Sequence, residues 1–132
     1  VAYVANVARM YPEVNFIVAH MGDPYYDESI QAMHGLSNMF TDFCGAFEPG
    51  TEVAADEEGT IEKFAHAIHQ YPDTWKQVLY GTDFCPPILL FEIHKYDYTI
   101  GKIFPQERFR DIYWNNALRA FPKVAEYLKK KG

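Results

Sequence analysis

One stretch of the sequence decides the fold class: Val78-Leu79-Tyr80-Gly81-Thr82-Asp83-Phe84-Cys85. Three of its first four residues suit the interior of a sheet, and the run stops abruptly at Gly81. In parallel α/β proteins the ligand site lies at the carboxyl ends of the strands. The carboxylate of Asp83 is therefore predicted to face a cleft rather than a core.

A second stretch ends in the same way: Phe16-Ile17-Val18-Ala19-His20-Met21-Gly22-Asp23. Four apolar residues are followed by a histidine, and a further strand between the two stretches ends near Asp42 and Cys44. The polar residues predicted at the carboxyl ends of the three strands are His20, Asp23, Asp42, Cys44, Asp83 and Cys85.

Helical periodicity between the apolar runs completes the pattern. Strands are predicted over residues 15–19, 39–44 and 78–80, and helices over 1–10, 27–36, 60–71, 88–103, 106–112, 117–121 and 122–131. Asp27 and Thr60 are the expected N-caps, the acidic segment 45–59 is expected to be a loop, and the last helix is expected to bury Val124, Ala125 and Leu128. Strands that alternate with helices predict right-handed crossovers and a parallel sheet in an α/β fold.

Size and charge exclude several classes of function. The 132 residues suit a single domain, residues 1–132, with an ordinary 48% of hydrophobic and 23% of charged residues. No apolar run approaches the roughly 20 residues of a membrane span, and a net charge of -6 argues against nucleic-acid binding. Cys44 and Cys85 are interpreted as reduced thiols of a cytoplasmic protein, with a disulfide as the alternative.

His20 and Asp83 are the candidate catalytic residues. A neutral imidazole and a carboxylate facing one cleft suit a shared divalent metal or a proton-transfer pair. The alternatives carry equal weight: His20 as a hydrogen-bonded loop residue and Asp83 as a helix N-cap. Asp42, within its strand, is expected to be a structural hydrogen-bond acceptor, and Cys85 is not expected to be a nucleophile because no histidine is predicted beside it.

The remaining histidines and the aromatic residues of the loops are not expected to take part in catalysis. Histidines within predicted helices are expected to be solvated or packed, and aromatic residues in the loops after the strands could line a pocket for a planar substrate or simply pack. The histidines are His34, His66, His69 and His94, and the aromatic residues are Tyr25, Tyr26, Phe47 and Phe84.

Three segments together resemble the C-terminal half of the amidohydrolase-2 family, metal-dependent TIM-barrel enzymes that include aromatic-acid decarboxylases and lactone hydrolases. The segments are residues 11–22 (YPEVNFIVAHMG), 78–84 (VLYGTDF) and 116–121 (NALRAF). The resemblance implies that the three strands are the sixth, seventh and eighth of a (β/α)8 barrel. It also implies that His20 assists in activating water or moving a proton, that Asp83 binds the metal, and that Asn116 is structural, capping the last helix.

The same resemblance implies a partial enzyme. The family's first-strand His-x-His pair and fifth-strand histidine are absent from this sequence, and a barrel needs about 250 residues. The expectation is a C-terminal fragment, inactive alone, that pairs with its missing N-terminal half or self-associates. The parent would hold a divalent ion, most simply zinc, and would hydrolyse or decarboxylate a small carboxylated, ring-containing substrate. The alternative is a non-catalytic α/β module that binds a ligand or partner at the same strand ends.

Overall fold

The structure, a computed structural model, describes residues 1–45, 56–82 and 93–131. Three strands and six helices are defined within these ranges, joined by short 3-10 turns and one π-helical turn. In chain order they are α1 (Ala2–Met10), β1 (Phe16–Val18), α2 (Tyr26–Met33), β2 (Met39–Asp42), α3 (Glu57–Gln70), β3 (Val78–Leu79), α4 (Ile93–Ile103), α5 (Asn116–Ala120) and α6 (Pro122–Lys131).

The three strands form one parallel sheet in the order β1-β2-β3. Val18 is in register with Thr41, and Thr41 with Val78. The parallel α/β architecture predicted from the sequence is therefore confirmed. Each strand is one to two residues shorter than predicted: β1 loses one residue at each end, β2 ends at Asp42, and β3 ends at Leu79.

The two faces of the sheet pack differently because side chains alternate along each strand. Phe16, Val18, Met39 and Val78 belong to the main core, which includes buried residues of α1 to α4. On the opposite face, Phe40 and Leu79 form a small cluster with Ala120 of α5. Ile17, in register with Phe40, is 40% exposed. This second face is thus only partly covered by the described residues.

Two helices begin earlier than predicted. In α2 the N-cap is Tyr25, so the expectation that Asp27 would cap this helix is wrong, and Asp27 lies within its first turn. In α3 the N-cap is Asp56, whose side chain accepts a hydrogen bond from the Gly59 amide, so Thr60 is not the cap either. Acidic residues in a first turn complement the positive end of the helix dipole, which explains why acidic residues expected in a loop begin a helix.

The last two helices depart from prediction at Asn116 and along α6. The N-cap of α5 is Asn115, and Asn116 is fully buried as the first residue of the helix, so Asn116 is not the cap. Nδ2 instead donates to the carbonyls of Trp75 (2.8 Å) and Val78 (2.6 Å). The structural role is confirmed and the capping role is wrong, because the amide secures the start of β3.

Helix α6 does not bury the residues expected of it. Val124 and Leu128 are 49% and 39% exposed, Ala125 is half-buried, and the described part of the chain leaves this apolar side of the helix open. Periodicity correctly predicted an amphipathic helix, but it could not predict whether a partner element would cover it. None of the helices in the described ranges is long and apolar enough to cross a membrane.

Candidate functional site at the carboxyl ends of the strands

The carboxyl ends of β1 and β2 meet at His20 and Asp42. The chain turns sharply after β1, and His20 and Met21 both adopt left-handed backbone conformations, with φ of 57° and 52°. Such a conformation is uncommon for residues other than glycine and costs about 1 kcal/mol or more per residue. The amide of His20 donates to Asp42 Oδ1 at 3.1 Å, which fixes this turn against the neighbouring strand.

Asp42 is a hydrogen-bond acceptor for both strand ends. Besides the His20 amide, Oδ1 accepts from the Cys44 amide at 3.2 Å and from Cys44 Sγ at 2.7 Å. The role predicted for Asp42, a structural acceptor, is confirmed. The bonds orient its carboxylate and hold His20 and Cys44 next to each other.

The imidazole of His20 is oriented by the chain that follows β2. Its Nδ1 contacts the carbonyl oxygen of Cys44, and since a carbonyl can only accept, Nδ1 is the protonated nitrogen. In the neutral ring Nε2 then carries the lone pair, which can take a proton or bind a metal. The next amide, that of Gly45, donates to the hydroxyl of the fully buried Tyr96 at 3.0 Å. Helix α4 therefore anchors the carbonyl that sets the tautomer of His20.

The end of β3 runs against the same residues. A Cβ atom added to Gly81 would lie 3.3 Å from Cys44 Cβ and 3.4 Å from Asp42 Cβ, closer than most such contacts. Only a residue without a side chain fits comfortably here. Asp83, the second predicted catalytic residue, and Cys85 lie outside the described residues, as do Phe47 and Phe84. Their predicted roles stay predictions.

Asp23 does not join the site. It is exposed, and its Oδ1 accepts a hydrogen bond from the hydroxyl of Tyr26 at 2.5 Å. Burial, and then the hydrogen bond to Asp23, raise the pKa of Tyr26 above its ordinary value. Tyr26 packs edge-on against Phe64, and Tyr25 is 57% exposed. For Tyr26 the packing alternative is the one observed.

A cavity of about 930 Å³ lies beside Asp23 and Pro24, in the segment between β1 and α2, and is bordered by the amino-terminal turns of α2 and α3. Asp23, Asp27, Asp56 and Glu62 line it, with Lys63 and His66 as the basic residues, and neither His20 nor Asp42 contributes to it. Its acidic lining suits a carboxylated substrate poorly. The helical histidines are exposed, as expected: His34, His66, His69 and His94.

Three donor atoms at the strand ends lie close enough together to hold a metal ion. His20, Asp42 and Cys44 each place one potential ligand atom within 4.8 Å of the others, the one such trio found among the described residues. An imidazole, a carboxylate and a thiol match the ligands of zinc. The contact between Cys44 and His20 was not predicted from the sequence, although both residues were placed at the ends of neighbouring strands. The hydrogen bond between Tyr96 and Gly45 was not predicted either, because 51 residues separate them and no local pattern indicates the contact.

A parallel α/β sheet with polar residues gathered at the carboxyl ends of its strands defines a class of proteins whose ligands bind at that edge. The family model for amidohydrolases, Amidohydro_2, matches residues 1–123. This chain therefore belongs to the amidohydrolase family. The family predicted from the sequence is confirmed.

One solved structure shares the fold. It is an amidohydrolase 2 from Bifidobacterium longum subsp. infantis, with a TM-score of 0.57 and 20% identity. The match covers 90% of this chain and 44% of the other, so the chain spans less than half the length of this structure. None of the curated proteins matches.

Proposed function

We propose that this chain is the C-terminal part of a metal-dependent amidohydrolase of the (β/α)8 barrel type. In this proposal β1, β2 and β3 are the sixth, seventh and eighth strands. Three observations support it: the parallel order β1-β2-β3, the gathering of polar residues at one edge, and the match to 44% of a solved amidohydrolase. The observation that carries the functional part is His20, presented at that edge with Nδ1 bound to a carbonyl.

His20 acts on a proton in the reaction. Because the Cys44 carbonyl holds the proton of Nδ1, Nε2 can accept a proton from a water molecule, or hold and return one during decarboxylation. The left-handed turn at His20 is stabilised by Asp42, so the ring needs little reorganisation when substrate binds.

In the whole protein, Asp83 together with histidines from the preceding part of the barrel would hold a divalent ion, most simply zinc, which would supply Lewis-acid activation of water. The substrate is a small carboxylated, ring-containing molecule, and the reaction is its hydrolysis or decarboxylation. The chain alone has little or no activity, since Asp83 and His20 make an incomplete metal site.

Exposed apolar surface supports the existence of a covering partner. On α1, Tyr3 and Met10 are 88% and 70% exposed, and at the other end of the chain Phe121 and Tyr127 are 46% and 56% exposed. In a closed barrel both regions would pack against the N-terminal half of the protein. Self-association of this chain is the other way to cover them.

Metal analysis of the full-length protein tests the proposal. Asp83→Ala should lose the stoichiometric metal, whereas His20→Gln should keep the metal and lose turnover by at least about a hundredfold, the range of general acid–base catalysis. Hydroxybenzoate and lactone substrates distinguish decarboxylase from hydrolase activity. Normal metal content in Asp83→Ala removes Asp83 from the ligands, and a protein without an upstream His-x-His segment contradicts the enzyme proposal in favour of a binding module.

A further inference from the structure

We propose that His20, Asp42 and Cys44 form a second metal site, which takes a thiophilic divalent ion such as Zn²⁺, Co²⁺ or Cd²⁺. Its ligands differ from those proposed for the catalytic ion, because they include a thiol and come from the ends of β1 and β2. Occupation of this site switches off the proton-accepting role of His20.

The three ligand atoms already converge. One atom from each side chain lies within 4.8 Å of the other two, and His20 Nδ1 lies 3.7 Å from Cys44 Sγ. Cys44 Sγ lies 2.7 Å from Asp42 Oδ1. In a tetrahedral zinc site with bonds of about 2.0 to 2.3 Å, the ligand atoms lie about 3 to 4 Å from one another. The distance from Nδ1 to Sγ is within this range, and the distance from Sγ to Oδ1 is slightly shorter. Shifts of about 1 Å or less at the side chains would complete the coordination.

The surroundings hold two of the ligands in place. Asp42 Oδ1 accepts hydrogen bonds from the amides of His20 and Cys44, which fixes the plane of the carboxylate. Cys44 is 8% exposed, and His20 and Asp42 are half-buried, so an ion there would be largely removed from solvent. Outer hydrogen bonds of this kind orient metal ligands and strengthen binding.

The donor set selects the ion. A thiolate together with an imidazole favours Zn²⁺, Co²⁺ or Cd²⁺ over Mg²⁺ and Ca²⁺, which prefer oxygen ligands. Cys44 now donates its S–H proton to Asp42. On binding, the S–H bond breaks, the proton leaves to solvent, and the sulfur and carboxylate electron pairs both bind the ion.

Binding at Nδ1 changes the tautomer of His20. The ion takes the position of the proton that Nδ1 shares with the Cys44 carbonyl, so a neutral ring must carry its proton on Nε2. Nε2 then has no lone pair with which to accept a proton. This inhibitory consequence rests on the proposed function, whereas the binding site itself does not.

Cobalt absorption spectroscopy of the full-length protein tests the site directly. Titration with Co²⁺ should produce a thiolate-to-cobalt charge-transfer band in the near ultraviolet. Cys44→Ser should abolish this band, and the matched control Cys85→Ser should retain it. His20→Gln, which keeps the thiol, should weaken cobalt binding at least about tenfold.

The outcomes separate this proposal from the proposed function. Asp83→Ala should keep the thiolate band even if it loses the metal needed for turnover. Excess Zn²⁺ should inhibit the wild-type enzyme and should inhibit Cys44→Ser at least about tenfold less strongly. Absence of the band in the wild type, its loss in Cys85→Ser alone, or its retention in Cys44→Ser overturns the site. Circular dichroism of each variant establishes that the protein is folded.

Discussion

Replacing Asn116 with alanine should destabilise the protein more than the same replacement of the adjacent Asn115. The Asn116 side chain is fully buried, and its Nδ2 donates to the carbonyls of Trp75 and Val78. Trp75 lies 41 residues away in sequence and three residues before β3, and Val78, 38 residues away, is the first residue of β3. Loss of the amide therefore leaves two acceptors without their partner and releases the start of the strand that leads to Gly81 and Asp83.

The magnitude follows from the two bonds. A buried acceptor left without a partner costs about 1 to 3 kcal/mol, and the bond to Trp75 is only partly buried, so the expected loss in free energy of unfolding is about 2 to 4 kcal/mol. Asn115→Ala is the matched control. Its amide bonds Asp111 one helical turn away, in a partly exposed contact worth about 0.5 to 1 kcal/mol. Asn116→Asp keeps the oxygen that accepts from Arg119 but replaces the donor with an oxygen that faces two carbonyls, so it should also be destabilising.

Urea denaturation followed by circular dichroism measures these differences in variants of the same protein. The gain in helix propensity from Asn to Ala is similar at both positions, so it cancels in the comparison. The reasoning is refuted if Asn116→Ala unfolds within about 0.5 kcal/mol of Asn115→Ala, a difference typical of a surface substitution.

Two further predictions concern a glycine and a tyrosine. Gly22→Ala should lower the free energy of unfolding by about 2 to 4 kcal/mol, because φ is +73° and the new Cβ would lie 2.0 Å from Ser29 Oγ. The control Gly35→Ala, at φ +99° with open space around it, should lower it by only about 1 kcal/mol. Thermal or urea unfolding measures both, and equal losses would contradict the steric argument. Burial, and then the hydrogen bond to Asp97, raise the pKa of Tyr113, so the unfolded chain loses this proton first and stability should fall as the pH rises above about 10. Urea midpoints measured from about pH 9 to about pH 11 should fall less steeply for Tyr113→Phe, and an identical slope would contradict the assignment.

The strands and the family were accessible from the sequence because their signals are local. Apolar runs that stop at polar residues predicted β1, β2 and β3, and the parallel order followed from the helices between them. The gathering of polar residues at one edge followed as well, since neighbouring parallel strands end at the same edge, whereas the particular contact between His20 and Asp42 was not predicted. The role of Asp42 as an acceptor needed only its position near the end of its strand.

Other features depend on contacts between distant residues. His20 and Met21 adopt the left-handed conformation although neither is a glycine, so the sequence gives no local sign of this turn. The turn is held by Asp42, 22 residues further along the chain. Tyr96, in α4, accepts a hydrogen bond from the amide of Gly45, 51 residues before it in the chain. The amphipathic pattern of α6 predicted an apolar side, but burial of that side depends on elements outside the helix. Only tertiary structure could reveal these features.

The proposed function depends on an unprotonated Nε2 of His20 at the carboxyl edge of the sheet. A long-range ¹H–¹⁵N correlation spectrum of the metal-free protein, recorded where the imidazole is neutral and assigned with His20→Gln, reports which ring nitrogen carries the proton. We expect a protonated Nδ1 and a bare Nε2, as the bond to the Cys44 carbonyl requires. A proton on Nε2 would contradict the proposed role of His20.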